Sequence, residues 1–265
     1  MHQLQEQKIS ESFRTVSLRP SVVPMGHVLN VDHFHMSQPT FPPHPHAGFS
    51  AVTWMMPWSA GGFVNRDSLG DRSIIAPGTL HWTCAGSGMM HEEIPEVPGT
   101  DCEGLQIFVK LAEPEELRAP SAFHLTKEQV PTVQTPAAVV RLLVGRLDDL
   151  VSPLPVHTET TLAHASLTGA WSLSVPENVE AFALVLRGAG KIDGQSVSVH
   201  QALPLVGGST SLEGEGLEVL FGWSGRMARP PRFSGPFCLF GEDRLAEAFQ
   251  RFRSGKMGSL APTPS

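Results

Sequence analysis

Residues 42–54 read PPHPHAGFSAVTW, and residues 89–95 read MMHEEIP. In an extended chain, residues i and i+2 point to the same face. His44 and His46 form such a pair, and Pro45 between them disfavours a helical conformation at His44. His91 and Glu93 form a second pair, with Glu92 expected to face away. If the two segments lie side by side in one barrel, three imidazoles and one carboxylate converge inside it. The same residues also fit a plainer reading, histidines satisfied by hydrogen bonds in the core or at the surface. A competing pair, His33 and His35 in VDHFHM, has the same spacing.

Outward from these segments the chain alternates short apolar runs with Gly and Pro, the punctuation of many strands and turns. In LQIFVKL, Leu105, Ile107, Val109 and Leu111 share one face against Gln106 and Lys110, a period of two that marks a half-buried strand. Leu217, Val219, Phe221 and Trp223 alternate in the same way. Phe182–Leu186 is a continuous apolar run that ends at Arg187-Gly188, as a buried strand would. A further strand is expected over Phe13–Leu18. The clear helical spacing is Leu245, Ala248, Phe249 and Phe252, with Glu242 and Asp243 in the first turn and Arg251 and Arg253 in the last, as the helix dipole favours. Gly255 is a suitable stop. The Pro- and charge-rich stretch over residues 112–135 reads as a connector, and residues 225–236 as a second Pro-rich crossing. The expected fold is therefore all-β, in two β-rich halves over residues 1–125 and 126–265, with the helix closing the second.

The 265 residues are enough for two modest domains with a real core. Hydrophobic residues at 41% against 17% charged give a globular profile. A net charge of −7 with no run of Lys or Arg disfavours direct nucleic-acid binding. Cys84, Cys102 and Cys238 form an odd, sparse set without a CxxC, which argues against a disulfide framework or a zinc ribbon. They are expected to be reduced thiols in a cytoplasmic protein. The first residues lack an apolar signal core, and no stretch approaches the roughly 18 to 20 apolar residues that span a bilayer.

Three imidazoles and a carboxylate suit one divalent ion: iron(II), manganese, nickel, copper or zinc. The lack of a thiolate disfavours a closed structural zinc site. Four protein ligands on an octahedral ion leave two positions for water, dioxygen or an organic substrate. Because the metal needs neutral imidazoles, affinity is expected to fall as pH drops through about 6.5.

HPHAGFSAVTW, then APGTLHWTCAGSGMMHEEIP, then GLQIFVKL resemble in order the motifs of the pirin family, and SGPFCLFGEDRLAEAFQRFRSGKMG resembles its C-terminal strand and helix. The resemblance covers most of residues 25–257. It implies two cupin barrels packed face to face, with one metal, usually iron, in the N-terminal barrel. It selects His44, His46, His91 and Glu93 as ligands over His33 and His35, which it implies are structural. It also implies a second barrel without ligands, matching the isolated His157, His164 and His200. The sequence departs from the family pattern at Ala47, where many relatives carry Arg, and at Asn65, where many carry His.

By this resemblance the chain is expected to be a mononuclear iron-dependent dioxygenase of quercetinase type. Its substrate would be a flavonol or another enolic aromatic, consumed with O2, and Glu93 would be the catalytic base. Phe49, Trp54, Met55, Met56, Phe63 and Trp82 would supply either an apolar wall or ordinary barrel core. The alternative is a regulatory protein that responds to the oxidation state of its metal and binds an enzyme or transcription factor. A two-barrel chain is expected to be a monomer.

Overall fold

A computed structural model describes residues 1–261, and nearly all of its regular structure is strand. The chain divides into two compact units that are not sequential halves. One comprises residues 1–6, 16–32 and 128–227, the other residues 7–15, 33–127 and 228–265. The expected blocks 1–125 and 126–265 are thus exchanged at their ends. The closing helix belongs with the candidate ligands, not with residues 128–227. Among the described residues no helix is long and apolar enough to cross a membrane.

Numbered in chain order, the first strands are β1 (His2–Gln3), β2 (Glu6–Ser10), β3 (Phe13–Leu18), β4 (Val28–Met36), β5 (His44–His46) and β6 (Phe49–Met55). They are followed by β7 (Phe63–Asp67), β8 (Arg72–Ile75), β9 (Leu80–Cys84), β10 (Met89–Pro95), β11 (Cys102–Lys110) and β12 (Ser121–Leu125). Two antiparallel sheets result. A seven-stranded sheet runs β12-β9-β6-β11-β4-β3-β2, and a four-stranded sheet runs β5-β10-β7-β8. The alternation read in Leu105–Leu111 places Leu105, Ile107 and Val109 on one face, all buried. On the other face Phe34, Met36, Met55, Phe63, Ile75 and Cys102 form a core cluster.

The 128–227 unit has its own sheet and core. Its long strands Thr160–Val175 and Gly208–Gly225 pair antiparallel along their length, with a register shift between Leu167 and Thr168. Val179–Arg187 covers the apolar run at Phe182–Leu186 and pairs with Gly208–Gly225. Val140, Ala163, Val185, Leu212, Val219 and Phe221 pack in this core. His164, between Ala163 and Ala165 of that core, is buried, and its Nε2 lies 2.8 Å from Glu218 Oε2.

The helix α1 (Glu242–Arg253) carries the acidic first turn and basic last turn expected of it. Gly255, at φ +72°, ends it. Gly255 N–H donates to Phe252 O and Lys256 N–H to Arg251 O, the paired bonds of a Schellman motif. Leu245 and Ala248 bury against Phe237, Leu239 and Ala47. The strand Phe237–Leu239 brings this about through a parallel bridge from Phe237 to Ala47. This packing draws the C-terminal segment to the chain just after His46, and it explains why the helix leaves the half of the sequence in which it lies.

The three cysteines are free and buried. Beside Cys238, Lys110 is wholly buried. Its Nζ donates to Gly48 O at 2.8 Å, Leu111 O at 3.1 Å and Glu116 Oε2 at 2.9 Å. It also lies 4.3 Å above the Phe240 ring. Burial lowers the Lys110 pKa, and Glu116 opposes that shift. Removing one partner of such a pair strands the other charge, typically at about 3–5 kcal/mol. Lys110→Met is therefore expected to lose about that much in urea unfolding of the full chain, whereas Lys8→Met, which breaks the exposed pair with Glu11, should lose less than about 0.5 kcal/mol. Equal losses from the two variants would show that the buried pair does not anchor this region.

Candidate metal centre

β5 pairs with β10 in the register Met89↔His46, Met90↔Pro45 and His91↔His44. His44 and His46 share a face of β5, and His91 stands directly across from His44. The three rings form a triangle with each pair of centroids 4.7 Å apart. One nitrogen from each lies within 4.8 Å of the others. His44 Nε2 and His46 Nε2 are 3.2 Å apart. Two ligands of one ion at bond lengths of about 2.1 Å lie roughly 3.0–3.4 Å from each other, for octahedral and tetrahedral edges respectively.

The opposite ring nitrogens fix the tautomers. His44 Nδ1 lies 2.9 Å from Pro42 O, and His46 Nδ1 lies 3.4 Å from Pro236 O. A carbonyl only accepts, so each Nδ1 carries the hydrogen and each Nε2 presents a lone pair to the common point. Burial lowers the His44 pKa, and it lowers that of His46, with His44 adding to the effect, to about 3. His91 is held well below the ordinary range by burial and then by its histidine neighbours. All three are thus neutral near pH 7, the form that binds metal. His91 is buried, yet neither ring nitrogen has a hydrogen-bond partner in the protein. Such a group normally has a partner, so the residues fit a bound ion.

Glu93 shares the strand face of His91 but lies outside the 4.8 Å group. Thr53 Oγ1 lies 2.9 and 2.8 Å from its two oxygens and donates to the carboxylate, and Gln106 Oε1 lies 3.2 Å from the same hydroxyl. Burial raises the Glu93 pKa from 4.5 to about 7, against the opposing Thr53 bond. Glu92 faces the other way and meets Arg66, its cross-strand partner, whose Nε donates at 3.0 Å. The strand register read from the sequence separates the two glutamates correctly. It does not show that Thr53, on another sheet, holds Glu93.

The surroundings contain residues that spacing alone does not reveal. Phe49 and Phe108 pack on His46, with centroids at 4.9 and 5.4 Å. Phe49 belongs to the expected apolar wall, whereas Met55 and Phe63 belong to the core cluster, and Trp54, Met56 and Trp82 are wholly buried. Phe108 could have been found from the alternation of β11, since it lies on the same face as Gln106. His81 is Thr53's cross-strand partner and is wholly buried, with neither ring nitrogen bonded in the protein. Asn65, one of the departures from the family pattern, is the cross-strand partner of Glu93 and donates to Asp71 at 2.9 Å. At the other departure, Ala47 O accepts from Cys238 N–H, a close approach of the C-terminal strand.

The sequence profile of the family described as Pirin matches residues 6–109. A "Pirin-like protein" of Solanum lycopersicum is 29% identical over 262 residues, covering 91% of this chain and 84% of that protein. The crystal structure of a quercetin 2,3-dioxygenase from Acinetobacter baumannii superposes with a TM-score of 0.85 at 21% identity, covering 98% of this chain and 97% of that one. The bacterial pirin YhhW of Escherichia coli, solved in complex with nickel(II), gives a TM-score of 0.68 at 15% identity, with coverages of 84% and 96%. The ordered motifs, the strand-rich fold and the sequence match agree: residues 6–109 carry a Pirin family domain, in a chain with the bicupin fold of the pirin and quercetinase structures.

Proposed function

We propose that this chain is a mononuclear metal-dependent dioxygenase of quercetinase type, acting on a flavonol or a related enolic aromatic compound, with iron(II) as its metal. The observation that carries this reading is the convergence of three neutral imidazoles beside a buried carboxylate whose pKa lies near 7. The match to a structure named as a quercetin 2,3-dioxygenase supports the fold, and the nickel complex of YhhW is of a protein similar to this one. Nitrogen donors with a carboxylate also accept nickel, manganese, copper or zinc.

His44, His46 and His91, with Glu93 beside them, would hold a divalent ion, which when bound would supply Lewis acidity toward an enolic oxygen and a place for substrate and dioxygen. Glu93 takes the enolic proton, a task for which a pKa near the working pH is best suited. Thr53 holds the carboxylate while it is not so engaged and donates to either of its oxygens. Phe49 and Phe108 give the His46 side an apolar surface for an aromatic ring.

The test is oxygen uptake with quercetin by the metal-loaded protein. Substrate-dependent consumption is expected in wild type and is lost together with one equivalent of metal in His46→Ala. In Glu93→Gln it should fall by about 10²–10⁴, the range that a general base contributes. Glu92→Gln, which disturbs the bond to Arg66, should retain the wild-type rate. Full metal occupancy without oxygen uptake would overturn the dioxygenase and favour a metal-responsive binding protein.

The depressed imidazoles also move the pH window expected from the sequence. Burial lowers all three imidazoles, so near pH 7 they are neutral and the proton that competes with metal there is the one on Glu93. Below about 7 that carboxyl is protonated, and binding the ion as a carboxylate must release the proton. The Kd for nickel(II) is therefore expected to rise by up to about tenfold per pH unit just below 7 in wild type and to rise less over the same range in Glu93→Gln. A slope of two or three protons in wild type would mean that the imidazoles titrate normally and are not buried as described.

A further inference from the structure

We infer that the chain holds a second divalent-metal site, formed by His33, His35 and Glu103, that takes zinc(II) or another ion of similar ligand preference. One nitrogen of each histidine and one Glu103 oxygen lie within 4.8 Å of one another. Among the described residues this is the one such group besides the His44, His46 and His91 cluster. It is a separate place in the fold. Phe34 and Met36 of β4 pack with Met55, which shares its face of β6 with Thr53. His33 and His35 alternate with Phe34 and Met36 along β4, so they lie on the opposite face of the seven-stranded sheet from Thr53 and Glu93.

The construction repeats that of the first site. Two histidines at i and i+2 on one strand face a third donor on a neighbouring strand, since β4 and β11 are adjacent. His33 Nε2 and Glu103 Oε1 are 3.0 Å apart. That is a hydrogen-bond length, and it is also the octahedral edge expected for two ligands with bonds of about 2.1 Å. A bare imidazole–carboxylate pair needs no further donor, yet His35 brings another nitrogen to the same point. Asp101 Oδ2 accepts from His35 Nδ1 at 2.8 Å, the kind of carboxylate contact that orients metal-bound imidazoles.

Charge and access agree with a cation. Glu103 and Asp101 bring two carboxylates to the place, with Arg14 3.6 Å from Asp101. His33 and Glu103 are buried, which limits competition from water, while the side chain of His35 is 20% exposed and that of Asp101 is 48% exposed, giving an entry path. Two imidazoles and a carboxylate without a thiolate suit zinc, nickel or copper and leave positions for water.

The experiment is titration of the full-length apoprotein with zinc(II) by calorimetry, with metal analysis after dialysis. Wild type is expected to bind two equivalents and His35→Ala one, the latter with an unchanged circular dichroism spectrum because His35 is partly exposed. The double variant His44→Ala, His46→Ala should keep one equivalent, and adding His35→Ala or Glu103→Gln to it should weaken that equivalent by at least a hundredfold. If wild type binds one equivalent and the double variant none, or if the remaining equivalent survives both His35→Ala and Glu103→Gln, the second site does not exist. The single variant His35→Ala keeps the test decisive should the double variant fail to fold, and no readout depends on oxygen chemistry at the first site.

Discussion

The antiparallel pairing of His44–His46 with Met89–His91 is the constraint from which the candidate centre follows. A slip of one residue would turn every side chain of one strand to the other face and put Glu92, not His91 and Glu93, inside. Several contacts oppose such a slip. Gly48 stands at φ +85°, where a Cβ would lie 2.1 Å from Cys238 O, so glycine there lets the C-terminal strand approach closely. Gly48 N–H donates to Gly86 O, and Gly86, at φ +48°, is pressed against Arg118 O in the same manner. Lys110 binds the Gly48 carbonyl from within the core. The turn after His46 is thus held by three segments distant in sequence.

The same burial acts in opposite directions on the two kinds of ligand. Desolvation disfavours a charge of either sign, lowering the imidazoles and raising Glu93. The apo centre is consequently close to neutral, with a proton on the carboxylate at neutral pH or just below. A dication entering it would meet lone pairs already available on His44 and His46, because Pro42 and Pro236 fix the tautomers. It would meet a carboxylate that must first give up its proton and its hydrogen bond to Thr53. On the proposed reading the imidazoles are the preorganised donors and Glu93 the conditional one, which would also be available as a base.

What the sequence made legible follows the range of each interaction. Strand periodicity is local, so Phe13–Leu18, the 105–111 strand and the helix at 242–253 could be read directly. The i, i+2 rule separated Glu93 from Glu92. The ordered motifs singled out, among twelve histidines, His44, His46 and His91, which the fold brings together. Non-local partners could not be read. Nothing near Glu93 in sequence points to Thr53, which is forty residues earlier on another sheet, nor does anything near His46 point to the Pro236 carbonyl. The surroundings of the helix were hidden for the same reason, since its apolar face packs on Ala47, far earlier in the chain, as well as on the adjoining strand Phe237–Leu239.

His33 and His35 show where pattern and environment part. Spacing alone makes them equivalent to His44 and His46, and the family resemblance sets them aside as ligands of the main centre. Their surroundings distinguish the two pairs chemically. His44 and His46 meet a third imidazole and donate to backbone carbonyls, giving a nitrogen-rich, enclosed triangle. His33 and His35 meet carboxylates, Glu103 and Asp101, near solvent. An ion in the enclosed set would be reached by little else, as the proposed catalytic centre requires. An ion in the half-open set, richer in anionic oxygen, would neutralise charge between β4 and β11. The same strand device thus stands in two different environments, and the difference between them lies in the residues it faces.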